Sequence, residues 1–384
     1  MDNDRFEETD EEIHLRRMRR IEQMKREKAK AEKMRKKLMF LGSAGVLTVA
    51  VIAVIAILIG KMGQKTAPEK TLAVAATPSA ETQVQATPVP TAEPTPEPKP
   101  VFQIVPFTAS KTDQTKGMSD EIISEYGVVI DVNKQEILAA RNAYDTISPA
   151  SMTKILTVYT AAKRLGLTGE DWADSDILKD KFTITIEITD YSFVHDCSNV
   201  GFDVGEEVPV KDLFYGTILP SGADAAVGLA DYVAGSHEAF VDMMNEELKE
   251  LNLSSTSHFT NCVGLYDKNH YTTVYDMAVM LKAAMDIPFC REVLGERLHV
   301  TEPTAQHSEG LELSNWFIRR IEDKDTHGTV IGAKTGFVVQ SKNCAASMAQ
   351  DKNGKEYICV TAGSTSSWKC IYDQVALYQK WLPE

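Results

Sequence analysis

The chain has 384 residues, 43% of them hydrophobic, and sets 41 Lys or Arg against 55 Asp or Glu for a net charge of −14. The imbalance deepens after the N-terminus, because residues 62–384 hold 27 basic against 45 acidic side chains, a net of −18. That balance argues against nucleic acid, and against direct adhesion of this part to anionic lipid, as a main role.

Residues 1–37 form a charged segment with Arg16, Arg17, Arg19, Arg20, Lys25, Arg26, Lys28, Lys30, Lys33, Arg35, Lys36 and Lys37. Ile13, Met18, Ile21 and Met24 fall at loosely helical spacing, which fits a partner-binding helix or a juxtamembrane helix touching anionic lipid. Residues 38–60 contain no charged side chain. A helix of that length, rising about 1.5 Å per residue, crosses a hydrocarbon core of about 30 Å. The basic flank keeps the N-terminus cytoplasmic, so the segment predicts a single-pass anchor with the rest of the chain outside the cell membrane. Ala73-Val74-Ala75 resembles a signal-peptidase site, but it lies too far beyond an apolar run that is itself too long for a signal peptide. Residues 61–106 shift to Pro, Thr, Ala and Glu, including Pro88, Pro90, Pro94, Pro96, Pro98 and Pro100. Such a composition builds no core and predicts an extended spacer.

Residues 107–384 suffice for one large domain of mixed pattern. Val128–Ile130 and Glu136–Leu138 read as a hairpin around Asn133-Lys134, followed by helical stretches including 225–233 and 237–251. Thr329–Val339, Asn343–Ala349 and Glu356–Ala362 read as consecutive antiparallel strands, with Asn353-Gly354 turning between the last two. Residues 371–381 read as a closing helix. Six cysteines (Cys197, Cys262, Cys290, Cys344, Cys359, Cys370) permit 15 complete pairings, yet registry around Asn353-Gly354 misaligns Cys344 and Cys359. A domain of this size needs no staples, and free buried thiols are the expectation.

The chemistry concentrates at Ser151-Met152-Thr153-Lys154. Ser148 suits a helix cap, Pro149 the first helical position, and Ile155, Leu156, Val158, Tyr159 and Ala162 an apolar body, which places Ser151 in the first turn. Residues three apart share a helix face, so Lys154 reaches the Ser151 hydroxyl, and burial favours the neutral amine able to take its proton. Ser-x-x-Lys alone is weak, since about one copy arises by chance in a chain this long; Ser366-Ser367-Trp368-Lys369 is such a copy. Lys334-Thr335-Gly336 sharpens the case, because a cation, a hydroxyl and a residue without a side chain on one strand suit a substrate carboxylate with close backbone approach. Ser221-Gly222 lies between the two, after the apolar stretch 213–219.

With these motifs the chain resembles the serine-type D-Ala-D-Ala carboxypeptidases, the low-molecular-weight penicillin-binding proteins. Pro149 to Lys154, Leu219-Pro220-Ser221-Gly222 with Asp224-Ala225-Ala226, Phe259-Thr260-Asn261 with Gly264-Leu265, and His270-Tyr271-Thr272-Thr273 look like that family's blocks in order. The resemblance implies an α+β, β-lactamase/transpeptidase-like domain: an antiparallel sheet built from both chain ends, flanked by helices. It implies Ser151 as nucleophile, Lys154 as base and Ser221 as proton relay. Lys334, Thr335 and Gly336 would hold the terminal carboxylate, and the backbone N–H groups of Ser151 and Phe337 would form the oxyanion hole. Neither cofactor nor metal is implied. The expected partners are the pentapeptide stems of peptidoglycan and, as covalent inhibitors, β-lactams; the spacer would lift the domain towards the wall. With about 50 residues after Lys334, the extra C-terminal domain of some relatives has no room.

One departure stands out. The family's middle motif usually reads Ser-x-Asn, whereas Ala223 fills the third place and makes no side-chain hydrogen bond. Losing one such contact costs about 1–3 kcal/mol, so slow turnover, or a neighbour that substitutes, is expected. Asp224 reads as a cap for the segment 225–233. Ala223 also keeps open a non-catalytic or weakly catalytic penicillin- or peptidoglycan-binding protein. A β-lactamase would need a deacylating base, and no Glu-x-x-x-Asn segment follows Ser221. The eight histidines form no His-Glu-x-x-His, His270 reads as part of a structural turn, and no Gly-x-Ser-x-Gly elbow occurs.

Overall fold

The computed structural model describes residues 106–384. The expectations stated for the charged segment 1–37, the apolar run 38–60 and residues 61–105 lie outside the described residues. Among the described residues no helix is long and apolar enough to cross a membrane.

Three strands come first: β1 (Ser110–Gly117), β2 (Tyr126–Asp131) and β3 (Glu136–Arg141). A 3-10 turn, Ala150–Thr153, then runs into α1 (Lys154–Arg164). The short pair β4 (Lys181–Thr183) and β5 (Glu207–Pro209) brackets α2 (Ile186–Val194). Helices α3 (Val210–Ile218), α4 (Ala223–Ala234), α5 (His237–Glu250), α6 (Val274–Met285) and α7 (Pro288–Gly295) follow. A second short pair, β6 (Leu298–Val300) and β7 (Glu312–Ser314), precedes α8 (Ile318–Ile321). The chain closes with β8 (Gly328–Val338), β9 (Lys342–Asp351), β10 (Glu356–Ser364) and α9 (Ser367–Trp381).

The main sheet runs β1-β3-β2-β10-β9-β8, so both chain ends contribute and β8 lies at an edge. The hairpin and the three C-terminal strands match the sequence reading, with Gly354 at φ +79° in the last turn. The sheet is mixed, however, and not wholly antiparallel: β1 runs parallel to β3, pairing Ser110 with Glu136 and Gly117 with Ala140. Its sequence, Ser-Lys-Thr-Asp-Gln-Thr-Lys-Gly, is polar throughout and almost wholly exposed, so it carries no alternation by which to find it.

Alternation divides the other strands between two layers. Val128, Ile130, Met348, Ile358 and Val360 face the large helical core, while Val129, Ala349, Tyr357 and Cys359 pack on Leu377 and Tyr378 of α9. Helix α9 starts earlier than expected because Ser366 Oγ accepts the Lys369 N–H at 3.2 Å. The second Ser-x-x-Lys is therefore a helix cap. In the helical layer Met152, Ile155, Leu156 and Tyr159 are fully buried, each contributing about 1.5–3 kcal/mol through burial. This buried anchorage holds the turn carrying Ser151 against β8.

Candidate active site

Ser151 lies in the 3-10 turn, one turn before the expected place in the α-helix. Thr153 takes the N-cap position of α1, and among the described residues Ser148 Oγ has no hydrogen-bond partner. The cause is Ala150, which adopts φ +47° and redirects the chain before a helix can start. In a 3-10 turn residues three apart eclipse, which brings Lys154 Nζ to 3.3 Å from Ser151 Oγ. Lys154 is 2% exposed and also donates to the Val263 carbonyl at 2.7 Å. Burial lowers its pKa to about 8, with Cys197, Cys262 and Asp224 pulling weakly the other way. At neutral pH about one amine in ten is then unprotonated and able to accept a proton.

Strand β8 passes directly over this turn. A Cβ on Gly336 would stand 2.9 Å from the Ser151 nitrogen and 3.0 Å from the Ala150 Cβ, so no other residue allows the approach. Ser151, Lys154, Ser221, Thr335, Gly336 and Phe337 line one cleft of about 620 Å³. Lys334 is not among the residues lining it. Its side chain is 2% exposed and donates to the Thr335 carbonyl at 2.9 Å. Burial, and then the Lys154 charge, hold its pKa well below the usual lysine value. Phe337 is 61% exposed and turns its ring to solvent.

Ser221 sits in the turn between α3 and α4 at φ +62°, a region costing a serine about 1–2 kcal/mol. Among the described residues its buried Oγ has no partner. Ser221 therefore brings unspent polar capacity, on a strained residue, to the cleft that Ser151 also lines. Ala223 is fully buried as the first residue of α4, and its N–H donates to the Ser198 carbonyl at 2.8 Å. Asp224 does more than cap its own helix. Its carboxylate accepts N–H bonds from Val200, Gly201 and Phe202 as well as Ala225, at 2.9–3.4 Å. It thereby fastens the 195–202 loop to the Ser221 turn, although desolvation raises its pKa. Val200 packs so tightly there that a Cβ on Gly222 would meet its Cγ2 at 2.6 Å.

That loop supplies a wall no motif announced: His195, Asp196, Cys197 and Ser198 line the cleft, facing Val263 to Tyr266, Trp316 and Arg320. The paired Gly216 and Gly222 were the available signal of a close approach, but the partner's identity required the fold. All six cysteines are free; five are buried, and Cys197 is half-buried in the cleft. His270 is structural, as its turn position suggested. Its Nδ1 accepts the Thr260 N–H at 3.0 Å, so Nε2 carries the proton and donates to Thr153 Oγ1 at 2.9 Å. Burial lowers its pKa to about 3 and keeps it neutral. Among the described residues no group of His, Cys, Asp and Glu could hold a metal ion.

A mixed sheet whose edge strand covers a Ser-x-x-Lys turn defines the DD-peptidase/transpeptidase fold. The Streptomyces K15 DD-transpeptidase crystal structure superposes with a TM-score of 0.58 at 26% identity, covering 68% of this chain and 98% of that one. Penicillin binding protein 5 from Haemophilus influenzae gives 0.58 at 27% identity, over 69% of this chain and 72% of that one. The D-alanyl-D-alanine carboxypeptidase family, peptidase family S11, matches residues 111–366, and the chain belongs to it. Among curated relatives, D-alanyl-D-alanine carboxypeptidase DacF of Bacillus subtilis (strain 168) is 29% identical over 238 residues, which is 62% of this chain and 57% of that protein. DacC of Escherichia coli (strain K12) is 36% identical over 164 residues, 42% of this chain and 39% of that protein. The chain thus spans about half the length of the curated relatives it matches.

Proposed function

We propose that this chain is a membrane-anchored serine-type D-Ala-D-Ala carboxypeptidase that trims the terminal D-Ala from peptidoglycan pentapeptide stems through an acyl-enzyme on Ser151. The observation carrying the reading is the Ser151–Lys154 pair, 3.3 Å apart and roofed by Gly336, with a lysine whose pKa has fallen to about 8. Neutral Lys154 takes the hydroxyl proton as Ser151 Oγ bonds to the carbonyl carbon of the penultimate D-Ala. The oxyanion is received by the backbone N–H groups of Ser151 and Phe337. Ser221 passes a proton to the amine as the C–N bond breaks, D-Ala leaves, and water hydrolyses the ester with Lys154 again as base. Thr335 donates its hydroxyl to the substrate's terminal carboxylate, and Lys334 supplies the cation that attracts it. β-Lactams would acylate the same oxygen. The charge-free run 38–60 and its basic flank support a single-pass anchor with the N-terminus cytoplasmic and the domain, on its 61–106 spacer, outside.

Ala223 favours a second reading, a protein that binds or is acylated by such ligands without turning over. The test is labelling of the full-length chain in membranes with a fluorescent penicillin, beside Ser151→Ala and a D-alanine release assay on a pentapeptide. Labelling lost in Ser151→Ala together with steady release supports the carboxypeptidase. Labelling without release selects the binding protein, and rapid penicillin hydrolysis selects a β-lactamase.

A further inference from the structure

The Ala223 departure leaves Lys154 without a side-chain amide to steady it, yet its amine is held between Ser151 Oγ at 3.3 Å and the Val263 carbonyl at 2.7 Å. A backbone carbonyl steadies an amine only if the loop bearing it is fixed. Asn261, 8% exposed, does this from inside the loop: its Oδ1 accepts the N–H groups of Val263, Gly264 and Leu265 at 3.2, 2.7 and 3.0 Å, and its Nδ2 donates to the Leu265 carbonyl at 3.0 Å. Three contacts then clip the loop to the 150–153 turn and the start of α1. Thr157 Oγ1 donates to the Cys262 carbonyl at 2.7 Å. His270, bonded to the Thr260 N–H, reaches Thr153 at 2.9 Å. Gly264, at φ +91°, lies so close that an added Cβ would stand 1.9 Å from the Ala150 carbonyl oxygen.

We infer that Asn261 is a positioning residue for Lys154: by fixing the Val263 carbonyl it occupies one N–H of the amine and turns the lone pair towards Ser151, the task Ala223 cannot perform. The inference rests on the acyl-enzyme reading above. Besides Val263, the amine faces Cys197, Cys262 and Asp224, and it shares its electrostatic surroundings with Lys334. Among the described residues the backbone acceptor at this amine is the Val263 carbonyl of the loop.

The experiment measures the pre-steady-state rate of Ser151 acylation by a fluorescent penicillin against pH, on the full-length chain in detergent. In Asn261→Ala the carbonyl drifts. A displacement of about 1 Å costs about 100-fold, so the plateau rate falls 10- to 100-fold while the penicillin concentration for half-saturation holds. The charged amine also loses an acceptor, so the alkaline rise in rate moves to lower pH. Asn261→Asp keeps the three accepted bonds and adds a negative charge; it recovers most of the rate and moves the rise to higher pH. Adding Ala223→Asn raises the rate more in the Asn261→Ala background than in the wild type. A merely structural role would lower the labelled fraction and leave the pH profile in place, and that result overturns the inference. Wild-type protein that is never acylated overturns the acyl-enzyme reading, and the inference with it.

Discussion

Replacing Lys154 with methionine tests the burial argument through stability as well as activity. The fall in the lysine pKa from its ordinary 10.5 to about 8, at about 1.4 kcal/mol per tenfold, means that the folded protein carries the charged amine at a cost of about 3 kcal/mol. The depressed value fixes the sign. Below pH 8 the amine is charged in both states and the whole penalty is present; as pH rises from 8 to 10.5 the folded state alone sheds its proton and the penalty disappears. Methionine fills a similar volume without charge, but it orphans the Val263 carbonyl, which costs about 1–2 kcal/mol. At pH 7 the difference leaves Lys154→Met more stable by about 1–2 kcal/mol, a rise in Tm of about 2–4 °C, with acylation abolished. Near pH 10.5 only the lost hydrogen bond remains and the variant becomes the less stable protein. Scanning calorimetry of both proteins at pH 7 and 10.5 reads this directly. Two Tm differences of the same sign would refute the claim that Lys154 is held at a cost in a dry site.

Wild-type acylation should quicken through pH 8 and level off above it, as Lys154 becomes neutral; stopped-flow penicillin labelling gives the midpoint, and a flat profile from pH 6 to 9 would remove Lys154 as base. Gly336→Ala drives a methyl to 2.9 Å from the Ser151 nitrogen, so the strand must retreat and acylation should drop by about 100-fold, with far-UV circular dichroism unchanged. In the native protein a thiol-directed chromogenic disulfide should titrate one cysteine, Cys197, because the other five are buried. That adduct, seated in the cleft, should block penicillin labelling, and peptide mapping that finds any other modified cysteine would contradict the burial pattern.

The sequence made the chemistry legible where short spacing determines geometry. Ser151 and Lys154 are three apart and meet in either helix type, and Gly336 signals close approach wherever its strand lies. Strands β2, β8, β9 and β10 were visible through their apolar patterns. Strand β1 was not, because it holds its place through backbone pairing and carries no apolar face. The 3-10 start was hidden by Pro149 and Ser148, whose local preferences favour an ordinary helix start; Ala150 at φ +47° overrides them. Asp224 read as a cap, since nothing in a sequence tells a carboxylate to collect amides from residues 22–24 positions upstream. Lys334 was legible as part of a motif, while its burial needed β8 and its neighbours in three dimensions.

Strands β1 and β8 form opposite margins of the six-stranded sheet. With about 4.8 Å between neighbouring strands, they stand about 24 Å apart. A load applied to the domain through its N-terminal side would reach β1 first, a strand polar and exposed along nearly its whole length. The four strands β3, β2, β10 and β9 separate it from the margin that carries Thr335 to Phe337. The sheet thus keeps the side of the domain that leads to its N-terminal residues and the side that builds the cleft at opposite edges.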